Sequence, residues 1–196
     1  MRVAPALILT AALAASACGS SSPTSPSSGA GSFSVMLKDS PFADAKALLV
    51  SFSDVSVHKA DDADGRWTTV AFAGGATGRT CDLKKLQTSQ DVLGTAPLAA
   101  GHYTQVRLTV SAATVYFDNA SAGAACAPTI TAPAGANAPV DVPSGEVKLN
   151  REFDVSGTGT TTMVLDFDGD QSVHQTGNGR YMMSPVISVV SVGSAQ

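Results

Sequence analysis

The sequence has 196 residues, enough for one globular domain, and only 14% of them are charged. Lysine and arginine total 12 against 16 acidic residues, so the formal net charge is −4 and no basic face is predicted. This balance argues against nucleic acid as a partner, because phosphate backbones are bound by clustered basic side chains. Only Glu146 and Glu152 among the acids are glutamates. Aspartate prefers turns to helix interiors, so the composition favours a loop-rich β protein.

Residues 1–17 are predicted to be a signal peptide rather than part of the fold. Their apolar run is too short to cross a bilayer as a permanent helix, and the small residues 15–17 form a cleavage site just before Cys18. A cysteine in this place resembles a lipobox, in which the thiol is acylated and the cysteine becomes the mature N-terminus. Ala15 stands where a lipobox usually has leucine, so plain secretion is the alternative.

Residues 18–32 are predicted to be a lipid-anchored, disordered tether. They are mostly serine, glycine and proline and have no side chain able to anchor a core. Gly19 follows Cys18 without the acidic residue that retains enterobacterial lipoproteins in the inner membrane. By that analogy, we expect an outer-membrane lipoprotein whose domain, residues 33–196, faces the periplasm or the exterior.

The first half of the domain shows the alternation of apolar and polar residues that is typical of strands. Residues 33–37 alternate cleanly, and the pattern over residues 48–57 slips by one residue at Ser53-Asp54, which predicts a β-bulge. An acidic turn then leads to Trp67, the only tryptophan, which we expect to pack in the core. Residues 87–98 show no clear periodicity and are predicted to be irregular.

The second half continues the same pattern of short strands and turns. Residues 101–110 and 114–117 are predicted strands, residues 121–139 form a surface excursion rich in alanine, glycine and proline, and residues 140–155 supply further strands. About eight to ten short strands with regular turns favour a sandwich or barrel. We predict an all-β fold, a single antiparallel Greek-key β-sandwich of the transthyretin or immunoglobulin type.

The densest polar cluster lies at the end of the strand at 163–168. Asp166, Asp168, Asp170 and Ser172 alternate like the start of a Ca²⁺-binding loop, since hard cations prefer several oxygen ligands. The EF-hand spacing fails, because position 12 of that loop is Gly177 rather than glutamate. The alternative is structural, with aspartates that cap turns by accepting backbone N–H bonds. No cofactor is therefore expected, and Ca²⁺ is the one alternative that the sequence raises.

The remaining cysteines, Cys81 and Cys126, form an even set if Cys18 is acylated. In an oxidising envelope we predict that they form a disulfide bond, which would pin the weak loop at 121–139 to the sandwich. The alternative is two free buried thiols. The sequence has no Cys-x-x-Cys motif and no paired histidines, so a zinc site is not expected.

Several of these segments together carry a resemblance to a known family. Leu165-Asp166-Phe167-Asp168, Gly177-Asn178-Gly179 with the following Tyr181, Cys81-Asp82-Leu83 and the run AGHYTQVRL at residues 100–108 resemble the domain of unknown function 4382 family, DUF4382. The similarity covers roughly residues 32–192. The family consists of bacterial envelope proteins, often lipoproteins, so the resemblance implies a fold and a location rather than a reaction.

Enzymatic activity is not expected, because the sequence lacks a Gly-x-Ser-x-Gly nucleophile motif and its three histidines fall in loops or at strand ends. We expect a non-catalytic binding or structural module, held at the membrane by its N-terminal lipid. A glycan or another envelope protein is the expected partner, bound through loops or an edge strand. The alternatives are a hydrolase, or a Ca²⁺-dependent carbohydrate-binding protein, that uses Asp166, Asp168 and Asp170.

Overall fold

The computed structural model describes residues 29–40 and 45–195. The predicted signal peptide, Cys18 and nearly all of the predicted tether lie outside these described residues. Within them, no helix is long and apolar enough to cross a membrane.

Strands are the main secondary structure of the described residues. In chain order these are β1 (Ala30–Ser40), β2 (Ala47–Lys59), β3 (Trp67–Thr69), β4 (Ala71–Phe72), β5 (Arg79–Asp82), β6 (Asp91–Ala99), β7 (Gly101–Tyr116), β8 (Cys126–Ala127), β9 (Asn137–Asp141), β10 (Glu146–Val155), β11 (Thr160–Asp168), β12 (Val173–Gln175), β13 (Tyr181–Met183) and β14 (Ile187–Ala195). The helical elements are a 3-10 turn at Ala73–Gly75 and two four-residue α-helices, α1 (Leu83–Leu86) and α2 (Gly169–Ser172).

The strands form two sheets. The first has the order β14-β11-β1-β6-β4, and the second has the order β12-β13-β9-β7-β2-β5-β8. Two further strands join the second sheet, because β10 pairs with β7 and β3 pairs with β2. On the edge away from β7, the long strand β2 therefore pairs with β5 along one half and with β3 along the other. On the edge away from β2, the long strand β7 pairs with β9 along one half and with β10 along the other.

The predicted all-β sandwich is confirmed, with two differences in detail. The described residues form fourteen strands rather than eight to ten, because five of these strands have only two or three residues. Two pairs, β1–β11 and β13–β9, are parallel, so both sheets are mixed rather than purely antiparallel. Parallel partners require a long connection, and nearly the whole domain lies between β1 and β11, so no local turn pattern reveals that pairing.

The main hydrophobic core lies between the two sheets and follows the alternation of the long strands. Phe33 of β1 stacks on Phe153 of β10 with ring centroids 5.1 Å apart, and Tyr103 of β7 stacks on the same ring at 5.3 Å. The Tyr103 hydroxyl donates to the carbonyl oxygen of Ala99 at 2.9 Å, which satisfies the polar end of this buried side chain.

The bulge predicted at Ser53-Asp54 is confirmed. The pairing of β2 with β7 shifts register between Phe52 and Asp54, so that Ser53 has no partner. Because of this extra residue, Phe52 and Val55 are both buried although three positions separate them.

The prediction that residues 87–98 are irregular is wrong, because β6 occupies most of this segment and lies between β1 and β4 in the first sheet. Leu93, Ala96 and Leu98 are buried, and Gly94 interrupts the pattern that they would otherwise form. A Cβ atom at Gly94 would lie only 2.7 Å from the carbonyl oxygen of Ala71, so the glycine permits the close approach of β4.

β1 begins at Ala30, three residues before the predicted start of the domain. Its first residues pair with the end of β6, with Ala30 opposite Ala99 and Ser32 opposite Pro97. Main-chain pairing therefore includes small residues that the composition had assigned to the tether.

The prediction that Trp67 packs in the core is wrong. Trp67 belongs to neither cluster of buried hydrophobic residues and is partly exposed on the outer face of the second sheet. It lies opposite His58 across the β2–β3 pair, on the side of β2 that faces away from Val55 and Val57. The parity of strand β2, rather than the size of the indole, determines where Trp67 points.

Candidate functional site

The acidic cluster predicted from the sequence lies where β11 ends and α2 begins. Asp166 is opposite Lys38 in the parallel β1–β11 pair, and the Lys38 ammonium lies 2.9 Å from the Asp166 carboxylate. A lysine therefore supplies the positive charge at this carboxylate in the structure.

Asp168 is the N-cap of α2. One of its carboxylate oxygens accepts the backbone N–H of Gln171 at 2.9 Å, and the other accepts the side-chain amide of Gln171. Its charge also lies at the positive end of the first turn, where a carboxylate is stabilising. This is the capping role that the sequence offered as the structural alternative.

Ser172 and Asp170 lie on opposite sides of α2. Ser172 is fully buried, where its hydroxyl donates to the carbonyl oxygen of Asp168 and accepts the backbone N–H of Val186 at 2.9 Å. Asp170 is exposed to solvent. Among residues 29–40 and 45–195, no group of three or more histidine, cysteine or acidic side chains is placed to hold a metal ion.

The structure adds Asp39 to this cluster, a residue that the sequence analysis did not single out. Its side chain is 4% exposed, and it accepts the backbone N–H of Gly169 at 3.0 Å and the side-chain amide of Gln87 at 3.5 Å. Asp39 thereby joins the end of β1 to the start of α2 and to the chain just after α1.

Burial raises the pKa of Asp39 from 3.8 to about 7, because the charged form loses its hydration. The hydrogen bonds from Gly169 and Gln87 lower this pKa, and the nearby charges of Asp166 and Asp168 raise it further. A carboxyl with a pKa near 7 is suited to general acid–base chemistry. Both of its oxygens accept hydrogen bonds from the protein, however, and the depression that it lines beside residues 86–90 is open to solvent.

A sequence signal for Asp39 did exist. Phe33, Val35 and Leu37 are all fully buried, and Asp39 is the next position of the same parity. Alternation alone therefore places the carboxylate on the core side of the strand. The buried position of Asp39 was not predicted, because the turn-forming residues Ser40 and Pro41 that follow it indicate the end of the strand.

The disulfide between Cys81 and Cys126 is confirmed, with an S–S distance of 2.06 Å. It joins β5 to β8, and Asp91 supports it from β6. One oxygen of Asp91 accepts the backbone N–H of Cys126 at 3.0 Å, and the other pairs with Arg79 at 3.2 Å. Arg79 also donates to the carbonyl oxygen of Cys126 at 3.2 Å, so the same two side chains hold both polar groups of this residue's backbone.

Asp82 is a second buried carboxylate next to this bond, and its hydrogen bonds are structural. One oxygen accepts the backbone N–H groups of Leu48 and Lys84 at 3.1 Å, which caps α1, and the other accepts the hydroxyl of Ser121 at 2.6 Å. The motif Cys81-Asp82-Leu83 thus fastens β2, α1 and the long loop before β8 to one another.

The outer face of the second sheet carries another group of polar and aromatic side chains. The Arg107 guanidinium carbon lies 4.5 Å from the centroid of the Trp67 ring, and the His58 ring lies 5.4 Å from it at an angle of 54°. The Arg107 Nε–H donates to the hydroxyl of Ser56 at 3.2 Å. Sequence analysis missed this group because its members come from three separate strands.

Comparison with known proteins identifies a family without an assigned activity. Residues 30–185 match the family model described as "Domain of unknown function (DUF4382)". No curated protein and no solved structure matches the chain.

Proposed function

The chain belongs to the DUF4382 family, and from that premise we propose that it is a non-catalytic binding or structural module of the bacterial cell envelope. In this proposal, Cys18 is acylated and anchors the β-sandwich to the outer membrane through the residues that precede β1. The partner is a glycan or another envelope protein.

The observation that carries this proposal is the Cys81–Cys126 disulfide. Such bonds form and persist outside the reducing cytosol, in compartments such as the periplasm or the cell surface. The bond is consistent with the signal peptide and the acylated cysteine expected from residues 1–18. It also leaves Cys18 as the one cysteine available for a lipid, since the chain contains three cysteines.

The contacts of the acidic cluster support a non-catalytic role. Asp166 is paired with Lys38, and Asp168 caps a helix. Asp39 binds the backbone of Gly169. Each of these carboxylates therefore has a structural partner, whereas a catalytic pair must leave at least one oxygen facing substrate.

Replacing Cys18 with serine tests the anchoring. The wild-type protein should sediment with membranes and be released by detergent, whereas Cys18→Ser should appear in the soluble periplasm because it has no acyl chain. Ser22→Ala is the matched control, since it changes the same segment and keeps Cys18, and it should fractionate like the wild type. An unchanged distribution of Cys18→Ser would refute the lipid anchor.

A hydrolase is the second candidate function, and the pKa of Asp39 is the observation that favours it. In that case Asp39, beside Asp166 and Asp168, would act as the general acid. The test is the release of new reducing ends from purified cell-wall glycan. Turnover by the wild type that is lost in Asp39→Asn would support the hydrolase over the binding module.

A further inference from the structure

The Trp67 face is a built surface that spans four adjacent strands. Trp67 on β3 lies opposite His58 on β2, and His58 lies opposite Gln105 on β7. Gln105 in turn lies opposite Asn150 on β10, which completes one row across the sheet. Neighbouring strands are about 4.8 Å apart, so this row is roughly 14 Å long. The next row carries Thr69, Ser56, Arg107 and Lys148.

The indole of Trp67 is held in place within this surface. Arg107 packs against its ring from β7, and the Arg107 side chain is fixed by the hydroxyl of Ser56. Ser56 points to the outer face yet is only 1% exposed. A large ring that is supported and still partly exposed is a preorganised platform, because little conformational entropy remains to be lost when a ligand stacks on it.

The charges on this face cancel locally. Arg107 lies 3.9 Å from Asp54 and 3.8 Å from Glu146, and Lys148 lies 3.2 Å from Glu146. Two basic side chains are thus matched by two carboxylates. A surface with this balance neither attracts nor steers an anionic ligand, so the complementary partner is uncharged.

The two amide side chains at the far end of the row, Gln105 and Asn150, can each form a hydrogen bond with a ligand. The Gln105 amide donates to the Asn150 carbonyl oxygen at 2.8 Å. The carbonyl oxygen of Gln105 can still accept a hydrogen bond, and the Asn150 amide nitrogen can still donate. An acetamido group presents one N–H and one C=O, and it therefore complements this pair.

From these observations we infer that the Trp67 face binds an uncharged oligosaccharide that contains N-acetylhexosamines. One pyranose ring stacks on Trp67, and an acetamido group of a neighbouring sugar bonds to Gln105 and Asn150. This inference rests on the proposed envelope role and deepens it by naming the ligand class. It uses none of the residues of the acidic cluster.

The wild-type protein provides a direct readout, because Trp67 is its only tryptophan. Titration with tetra-N-acetylchitotetraose should move the tryptophan emission to shorter wavelength and protect it from acrylamide quenching. Cellotetraose, which lacks the acetamido groups, should bind at least about threefold more weakly, since it leaves the Gln105–Asn150 pair unsatisfied. Absence of both the emission change and a calorimetric signal overturns the inference, as does preferential binding of an anionic polysaccharide.

Variants locate the binding surface. Trp67→Ala should weaken the affinity measured by calorimetry by about tenfold or more, because the stacking surface is lost. Tyr181→Ala is the matched control, since Tyr181 is also partly exposed and contacts Phe117 at 5.7 Å on a different part of the sheet, and it should stay within about twofold of the wild type. Equal losses in the two variants overturn the assignment, and if Trp67→Ala does not fold, the wild-type fluorescence decides.

Relocation of Cys18→Ser without any saccharide binding would refute this inference alone, whereas saccharide binding by a protein that is not membrane-associated would refute the envelope anchor alone.

Discussion

For single residues in this protein, the alternation of side chains along a strand determines whether a side chain is buried or faces solvent. Parity carries Asp39 into the buried side of β1, next to Asp166 and Asp168, and carries Trp67 out to the solvent side of β3. In both cases the residue type alone favours the opposite location, because carboxylates prefer water and indoles prefer the core. Asp39 and Trp67 therefore both lie where side-chain preference and backbone geometry disagree.

Asp39 should make the protein less stable as pH rises. Its folded pKa of about 7 lies above the unfolded value of 3.8, so the native state holds the proton more tightly. The stabilisation is complete below about pH 4 and is lost as pH rises toward and through about 7. One pKa unit corresponds to about 1.4 kcal/mol, so this change amounts to at most roughly 4 kcal/mol.

Asp39→Asn should remove this dependence, because asparagine carries no charge and still accepts the Gly169 N–H. At pH 8 the variant should melt about 5 °C or more above the wild type, and at pH 4 the two should be similar. Thermal melts across this range provide the measurement. Asp170→Asn, at an exposed position of the same cluster, is the control and should keep the wild-type slope. Parallel curves for Asp39→Asn and wild type would contradict the buried, uncharged Asp39.

Calcium should have little effect on stability. A micromolar site in millimolar Ca²⁺ would add about 4 kcal/mol, or roughly 10 °C in melting temperature. We expect less than about a third of that rise, because Lys38 neutralises Asp166 and Gln171 occupies both oxygens of Asp168. Melting curves with Ca²⁺ and with chelator should nearly coincide in wild type and in Asp168→Asn. A large calcium-dependent rise that disappears in Asp168→Asn would establish a metal site.

At the scale of elements, local sequence patterns predicted those features of the strands that depend only on residues close together in the sequence. The bulge in β2 and the strand alternation of β1 follow from such patterns, and both are present. The parallel pairing of β1 with β11 joins residues that are more than a hundred positions apart in the sequence. The apolar alternation of β6 is interrupted by Gly94, a glycine that allows β4 to approach closely. The local sequence of these strands does not indicate which strand each of them pairs with.

The disulfide is the element-level contact whose removal should be most costly. Cys81 and Cys126 are 45 positions apart, and the bond holds the two-residue strand β8 at the edge of the second sheet. The double variant Cys81→Ala/Cys126→Ala should lose about 2–4 kcal/mol of unfolding free energy in urea. It should also become sensitive to protease within residues 118–125, whereas Cys18→Ala, which leaves the bond intact, should show neither effect. A loss below about 1 kcal/mol would mean that Asp91 and Arg79 hold β8 without the bond.

At the scale of the whole molecule, the sequence predicted the fold class and the disulfide but only part of the candidate site. The acidic residues are adjacent in sequence and were therefore found, yet their contacts are structural in this fold. The Trp67 face was missed because its rows exist only once β3, β2, β7 and β10 lie side by side. Surfaces assembled across strands carry no contiguous motif, so three-dimensional pairing is needed to see them.

These two surfaces support different proposed functions, and one measurement distinguishes between the proposals. In an amide and indole NMR titration of the isotope-labelled domain with tetra-N-acetylchitotetraose, the binding account predicts shifts at the Trp67 indole, His58, Gln105 and Asn150. Signals of Asp39, Gln87 and Gly169 should stay unchanged. Shifts concentrated at Asp39, Gln87 and Gly169, with the Trp67 indole unmoved, would contradict the account and place the functional surface at the acidic cluster instead.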